Sequence, residues 1–228
     1  MKTNFTASLK ISFFLLVICL ITSCIKNENI IKGDTKIRFF NTVDELAQDF
    51  YLDGQRVSTG VLYDRNTEYT VFEGDKTYNV LSKNTGTKIT SDSISQTFSI
   101  GKNYSVFYAK ASATDSVLKV YEDDLRPDTS QSRLFFINVG YTLGSRVSIR
   151  NETSSFTKTL GNGETSGYIV LPTGKNSKIY LNLADSTNVV DTISYTNFYK
   201  GKTYTIVIDG VNKGASKGKL KERLIVNN

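Results

Sequence analysis

The stretch Lys36-Ile37-Arg38-Phe39-Phe40-Asn41 decides the fold, because it is short, rich in strand-forming residues and occurs twice. Its second copy is Arg133-Leu134-Phe135-Phe136-Ile137-Asn138, alike in type and order. Two further pairs follow in the same sequence. Tyr69-Thr70-Val71-Phe72-Glu73-Gly74 matches Ile169-Val170-Leu171-Pro172-Thr173-Gly174, and Gly101-Lys102-Asn103-Tyr104-Ser105-Val106 matches Gly201-Lys202-Thr203-Tyr204-Thr205-Ile206. The separations of 97, 100 and 100 residues keep a register that unrelated strands would not hold. A duplicated unit of about 95 residues accounts for them.

Around these anchors, short runs of Val, Ile, Thr, Tyr and Phe alternate with Gly, Asn, Asp and Ser, the pattern of strands and turns. In the first copy, strands are expected at 36–41, 47–52, 55–61, 68–72, 77–81, 95–100, 104–110 and 116–121. Asp53-Gly54 has the chemistry of a tight hairpin with positive φ. Gly74-Asp75 and Gly101-Lys102-Asn103 mark further turns. No helical period is sustained; residues 43–49 read as loop or strand.

The junction Asp123–Ser132 is charged and carries Pro127, one of only two prolines. Proline bars its predecessor from helix and cannot occupy a central strand, so the segment should end one sheet and launch the next. Being short, it should hold its neighbours close. The predicted fold is therefore all-β: two tandem immunoglobulin-like antiparallel β-sandwiches, residues 35–125 and 132–228. Phe39, Val71, Ile100, Val106 and Tyr108 are expected to face one core, and Phe135, Val170, Ile206 and Ile208 the other. Tyr104 and Tyr204 each begin a strand after a Gly-Lys-x turn, where tyrosine corners occur. Their match is also what duplication of a good strand former would leave.

Ahead of the duplicated unit lies a different kind of segment. Lys2 and Lys10 give a positive start, no acidic residue precedes Glu28, and an apolar run extends from Phe13 to Ile21. Thr22 and Ser23 then supply small residues before Cys24. This order is that of a secretory signal peptide over residues 1–23. The apolar run is about half the roughly 20 residues that a spanning helix needs. Ile21-Thr22-Ser23-Cys24 resembles a bacterial lipobox, whose cysteine is lipidated and becomes the new N-terminus. Cys24 is therefore the expected lipidation site, with residues 24–34 as a polar tether. A simple secreted form with a free thiol is the alternative.

Removing residues 1–23 from the 228 leaves 205, and removing Lys2 and Lys10 from the 28 basic residues leaves a net charge of +4 against 22 acidic ones. The charge is scattered, with no basic block interleaved with aromatics, so no nucleic-acid partner is expected. Cys19 leaves with the signal, so no intramolecular disulfide is available to the mature chain. The chain has no histidine. His-based triads, imidazole metal ligands and Cys₂His₂ zinc sites are thereby excluded.

The order Arg38-Phe39-Phe40-Asn41, Phe50-Tyr51-Leu52-Asp53-Gly54, a turn at Gly74, Gly101-Lys102-Asn103-Tyr104 and Leu118-Lys119-Val120-Tyr121-Glu122-Asp123-Asp124-Leu125 is similar to the bacterial domain of unknown function 4397. The resemblance covers most of 35–125 and extends more faintly over 132–226. In the second half no Asp-Gly follows the second strand; Val147-Ser148-Ile149-Arg150-Asn151-Glu152 stands there instead. The resemblance implies a bacterial lipoprotein with tandem repeats of this domain, exported and lipid-anchored. It implies no catalytic residue, cofactor or ligand.

Candidate chemistry is sparse. Glu122-Asp123-Asp124 is the one dense acidic run; its oxygen ligands would suit Ca²⁺, but a solvated linker explains it equally, so no metal site is assigned. A glycosidase carboxylate pair among Asp53, Glu68, Glu73 and Asp185 has no motif behind it. Gly144, Gly161 and Gly163 precede no helix and form no phosphate loop. Asn151-Glu152-Thr153 fits a glycosylation sequon by formula only.

The expected function is that of a non-enzymatic, cofactor-free protein of the bacterial cell envelope. It would be lipid-anchored to a membrane, the outer membrane foremost, and periplasmic or surface-exposed. Its role would be structural or protein recognition. The alternative is a glycan-binding accessory or adhesin of an outer-membrane uptake system, with Tyr63, Tyr69 or Tyr168 stacking on sugar rings. Partners are then the membrane, through the anchor, and an envelope protein or glycan.

Overall fold

The structure, a computed structural model, describes residues 33–44, 46–126, 130–152, 155–171, 177–186, 191–195, 198–210 and 219–228. Cys24, Pro127 and Thr153 lie outside the described residues. Four sheets form two sandwiches, and the chain is all-β as expected.

In the first sandwich, β1 (Asp34–Asn41) is flanked on one side by β4 (Arg65–Asn66) and β5 (Thr70–Glu73) and on the other by β8 (Asn103–Lys110), with β9 (Ser116–Asp123) beyond. Its second sheet runs β3 (Gln55–Val61), β2 (Gln48–Leu52), β6 (Lys76–Asn84), β7 (Thr90–Phe98). The second sandwich repeats this plan. One sheet runs β13 (Thr165–Leu171), β10 (Ser132–Asn138), β16 (Thr203–Gly210), β17 (Leu220–Val226). The other runs β12 (Thr157–Leu160), β11 (Val147–Asn151), β14 (Ser177–Leu183), β15 (Asp191–Tyr195).

Each sandwich contains one parallel pair that the antiparallel expectation did not include. β1 pairs with β8 from Lys36↔Asn103 to Asn41↔Tyr108, and β10 pairs with β16 from Arg133↔Thr203 to Asn138↔Ile208. Parallel neighbours need a long crossover, and here the chain supplies it by building the opposite sheet before it returns. β7 starts at Thr90, earlier than expected, because Thr90–Ser93 is a polar edge segment that reads as loop.

The internal repeat is visible bond by bond. Gly101 and Gly201 both take positive φ, 71° and 77°, which glycine adopts without a Cβ penalty. Gly101 N–H donates to Asp34 O at 2.7 Å, and Gly201 N–H to Gln131 O at 3.0 Å. Fully buried Asn41 donates from Nδ2 to Val61 O and accepts from Val43 N–H; fully buried Asn138 donates to Leu160 O and accepts from Gly140 N–H. Each asparagine thereby fastens its strand to the edge of the facing sheet.

Alternation along the strands sorts the cores. Ile37 and Phe39 of β1, with Val106 and Tyr108 of β8, face Phe50, Leu52 and Val80 inside the first sandwich. Leu134 and Phe136, with Tyr204, Ile206 and Ile208, face Ile149, Ile179 and Leu181 inside the second. The intervening residues are also apolar and also buried. Phe40, Phe107, Ala109, Phe135, Ile137, Val139 and Val207 form a third core, in which the outer face of the β1 sheet packs on the outer face of the β10 sheet. The four sheets therefore stack in layers, and residues 33–228 make one compact unit.

Phe135 thus belongs to the seam between the sandwiches and not to the second core. Val71, Ile100 and Val170 are 51, 47 and 50 % exposed and belong to no core. Val71 and Val170 sit opposite Lys36 and Arg133, on the seam side of their sheets, and Ile100 sits in a turn.

Candidate functional site at the seam

The seam is the most elaborated feature of the molecule. Its middle is a run of aromatic rings crossing from one sandwich to the other. Phe40 stacks on Phe107 with centroids 4.2 Å apart and planes at 11°; Phe107 meets Tyr121 edge-on, Tyr121 meets Phe135, and Phe135 meets Tyr168 at 5.0 Å. Burying a Val, Ile or Phe contributes about 1.5–3 kcal/mol, so this core is worth on the order of 10 kcal/mol. That is comparable with the whole stability of a typical domain.

Toward the Gly33 end, the seam encloses a charge. Arg38 and Asp123 are 3 and 4 % exposed. Arg38 Nη2 lies 3.5 Å from Asp123 Oδ1 and donates to Asn227 Oδ1 at 2.9 Å, while Nε donates to Ser105 Oγ at 2.8 Å. Asp123 Oδ2 accepts from Ser105 Oγ and Tyr69 Oη at 2.5 and 2.7 Å. Asn227 Nδ2 closes the network on Thr205 Oγ1 at 2.9 Å. The Arg38 guanidinium lies over the rings of Tyr69 and Phe40 at 4.6 and 4.9 Å. Burial pushes the Asp123 carboxyl up, opposed by Arg38 and by the hydroxyl donors. Burial and the Asp123 charge push the Tyr69 phenol up, which keeps it a donor. Removing charges from water is costly, and here each polar group is offered a partner in return.

Toward the other end, Tyr63 Oη donates to Asp209 Oδ2 at 2.9 Å, Lys221 Nζ lies 2.7 Å from Asp64 Oδ2, and Arg223 Nε lies 3.3 Å from Asp64 Oδ1. Desolvation pushes Asp209 up to about 6. Asn162 Nδ2 donates to Lys110 O, and Tyr121 Oη to Gly163 O, bridging the sandwiches there as well.

These contacts reassign the residues expected to bind or react. Tyr63, Tyr69 and Tyr168 are partly buried and committed to the seam; Tyr168 Oη accepts from Asp124 N–H at 2.8 Å. The acidic run is already neutralised residue by residue. Glu122 pairs with Lys102 at 2.7 Å, Asp123 lies within the Arg38 network, and Asp124 pairs with Arg126 and Arg133 at 2.8 and 2.6 Å. Arg126 and Arg133 hold the Asp124 carboxyl well below its usual range. Among the described residues no three His, Cys, Asp or Glu side chains converge as a metal set.

An open cleft of about 460 Å³ lies beside this run, lined by Lys102, Asn103, Glu122, Asp124, Arg126 and Tyr168 among others. Its Lys102–Glu122 and Arg126–Asp124 pairs satisfy one another, and its described lining residues include no nucleophile–base pair. Of the carboxylates considered as an acid pair, Asp53 in the β2–β3 turn and Glu73 at the end of β5 both approach exposed Lys76, at 3.6 and 3.9 Å, and Asp185 belongs to the other sandwich.

Tyr104 Oη accepts from Ser99 N–H at 3.1 Å, and Tyr204 Oη from Tyr199 N–H at 3.0 Å, the same five-residue reach in both sandwiches. Both rings are buried against a phenylalanine, Phe98 and Phe198 respectively. Sequence reasoning missed Arg38, although a charged residue inside an apolar strand was a signal available to it.

No curated protein matches the chain. Among solved structures it is similar to the family 26 carbohydrate-binding module CBMbc of Eubacterium rectale Amy13K, in a complex with maltoheptaose. Identity is 9 %, the match covers 83 % of this chain and 96 % of that one, and the TM-score is 0.27. Two different family models match along the chain. Domain of unknown function DUF4397 is found at residues 35–145, followed at residues 148–227 by a match to the T-Q ester bond containing domain.

Proposed function

We propose that this chain is a non-enzymatic, lipid-anchored protein of the bacterial cell envelope, serving as a stiff two-module spacer or protein-recognition element. The observation that carries the reading is the seam. A protein that only linked two modules would not need an apolar core and buried charges between them, whereas one that holds a surface at a fixed distance and orientation does. The seam takes up Tyr63, Tyr69, Tyr168 and Asp123, groups that the sequence offers for ligands.

The anchor is the proposed link to the envelope, through the thiol of Cys24 after loss of residues 1–23. The T-Q ester bond in the description of the second matched family has no counterpart within residues 148–227, which contain no glutamine. Stiffness in this chain would therefore rest on packing and buried pairs.

Intact-mass measurement of the protein from the membrane fraction tests the reading. The expected result is a chain beginning at Cys24 with the added mass of a diacylglyceryl group and an acyl chain. A free Cys24 thiol on a soluble chain would contradict it.

A further inference from the structure

We infer that the seam is a self-complementary surface whose further partner is a second copy of this chain, taken by reciprocal exchange of the second sandwiches. This goes beyond the spacer reading and needs no anchor. The strand registers set the equivalences between the two sandwiches. Ile37 pairs with Tyr104 and Leu134 with Tyr204, which makes Arg38 the counterpart of Phe135. Phe107 pairs with Lys119 and Val207 with Arg223, which makes Lys119 the counterpart of Arg223. Asp64 N–H donates to Asn41 O at 2.9 Å and Gly163 N–H to Asn138 O at 2.6 Å, both from positive φ, so these two are counterparts as well.

Across the seam, counterparts make the same contact in both directions. Lys119 Nζ of the first sandwich donates to Gly163 O of the second at 3.3 Å, and Arg223 Nη1 of the second donates to Asp64 O of the first. One position earlier, Asn162 Nδ2 of the second reaches Lys110 O at 3.0 Å, and Tyr63 Oη of the first reaches Asp209 Oδ2 at 2.9 Å. Lys110 and Asp209 stand one residue apart in the aligned strands, because Tyr108 and Ile208 are counterparts. A translation of one sandwich past the other would form each contact once. Contacts returned in this way belong to a twofold relation, in which a surface is complementary to itself. Arg38, early in β1, meets Asn227, just past β17, so β1 and β10 start at the same end, and Asp123 and Ser132, which bound the linker, both lie there. The seam is thus the interface of a dimer carried inside one chain, and its contacts are the same whether the two sandwiches come from one chain or from two.

Divergence between the copies selects exchange over pairing of like with like. Two first sandwiches would bury two Arg38–Asp123 pairs in one seam. Two second sandwiches would set Lys221 and Arg223 opposite Gly163, where no carboxylate replaces that of Asp64. Burying charge is costly, and burying it without a partner more so. First against second places Asp64 beneath Lys221 and Arg223 and Asn227 beside Arg38, so two chains joined reciprocally make every seam contact twice. Within one chain, residues 124–131 hold the sandwiches at an effective concentration on the order of millimolar, and below that concentration the closed single chain prevails.

The test uses the chain from residue 24, with Cys24→Ser to keep it free of lipid. One variant carries Phe107→Glu and another Val207→Glu, each placing a charge in the middle of its own seam. When the two are mixed, the unaltered second sandwich of the first variant and the unaltered first sandwich of the other form one intact seam between chains. Sedimentation velocity should find a one-to-one heterodimer in the mixture and mainly monomer in either variant alone. Asn227→Ala in the Phe107→Glu chain removes an acceptor of Arg38 and should weaken the heterodimer about tenfold or more. A mixture that stays monomeric overturns the inference, and so does a dimer that either variant forms equally well alone or that ignores Asn227→Ala. Deleting residues 126–130 covers the case of a glutamate that unfolds its own sandwich. Three Cα steps then link Asp124 to Ser132, at most about 11 Å, against packed sheets about 10 Å apart, which leaves no length in which to turn. That chain should fold as a dimer; a folded monomer or an aggregate overturns the inference.

Discussion

Arg38 Nη2 lies 2.9 Å from Asn227 Oδ1, across 189 residues of chain, so the first strand of one sandwich is tied to the last strand region of the other. The bond has a direction as well as a strength. A guanidinium presents its donors in a rigid fork, and with Ser105, Asp123 and Asn227 all engaged it permits one docking register. Around it, the apolar seam supplies most of the energy and the buried pair supplies the geometry.

Arg38→Ala should therefore be costly. It leaves Asp123 buried without its cation, and breaking such a pair from one side costs about 3–5 kcal/mol. Pairing Arg38→Met with Asp123→Leu should recover most of that loss, because the second charge is removed as well. Denaturant midpoints of the two variants check this; equal losses would mean that the pair is not what the site depends on.

Phe107 stacks on Phe40 at the centre of the seam, and both are fully buried. Phe107→Ala should cost about 3–5 kcal/mol through lost burial and the cavity left behind. Because the seam couples the sandwiches, the native protein should melt in one calorimetric transition and the variant in two. A single undiminished transition in the variant would show that the sandwiches are joined by other means.

Tyr104→Phe and Tyr204→Phe each delete one hydroxyl and leave a backbone N–H, of Ser99 or Tyr199, without its acceptor. Each should lose about 1 kcal/mol, the net worth of one hydrogen bond. Thermal melts of the two single variants, run side by side, decide it: unchanged stability would exclude a structural role for the hydroxyls.

Asp209 makes stability depend on pH. Burial raises its folded pKa to about 6, above the ordinary carboxyl value of 3.8. The folded state then holds a proton that the unfolded state releases, so stability should be greatest in acid and fall as pH rises through this window, levelling above it. The size of the fall should be about 2–3 kcal/mol. Glu222, pushed up to about 7 by burial and by its hydrogen bond to Asp191, acts in the same direction over an overlapping range. The difference between the native chain and Asp209→Asn, measured from pH 4 to pH 8, isolates the Asp209 part; superimposable curves would contradict it.

What was legible in the sequence was the local chemistry. Gly101 and Gly201 were readable as turns because positive φ selects glycine, and Asn41 and Asn138 as matching positions because they close equivalent strands. The all-β class followed from the spacing of strands and turns. The seam was not read, although Phe39-Phe40 and Phe135-Phe136-Ile137 held its signal. Adjacent apolar residues in a strand point to opposite faces, so an unbroken run means a sheet buried on both sides. Phe135 was accordingly placed in the wrong core. The alternative that Tyr63, Tyr69 or Tyr168 stacks on sugar rings stays open in the sequence because nothing local distinguishes a tyrosine facing solvent from one facing a second domain. Their partners, Asp209, Asp123 and the amide of Asp124, lie 146, 54 and 44 residues away.

The rigidity of the seam can be measured as a single distance. Residues 33–228 contain no cysteine, so Ser95→Cys on β7 and Lys158→Cys on β12, both exposed and on the two outermost sheets, can carry a unique pair of nitroxides. Pulsed electron–electron resonance should return one narrow distance distribution that is insensitive to added salt. A broad or bimodal distribution would mean that the sandwiches move independently and that the seam does not hold them as one body.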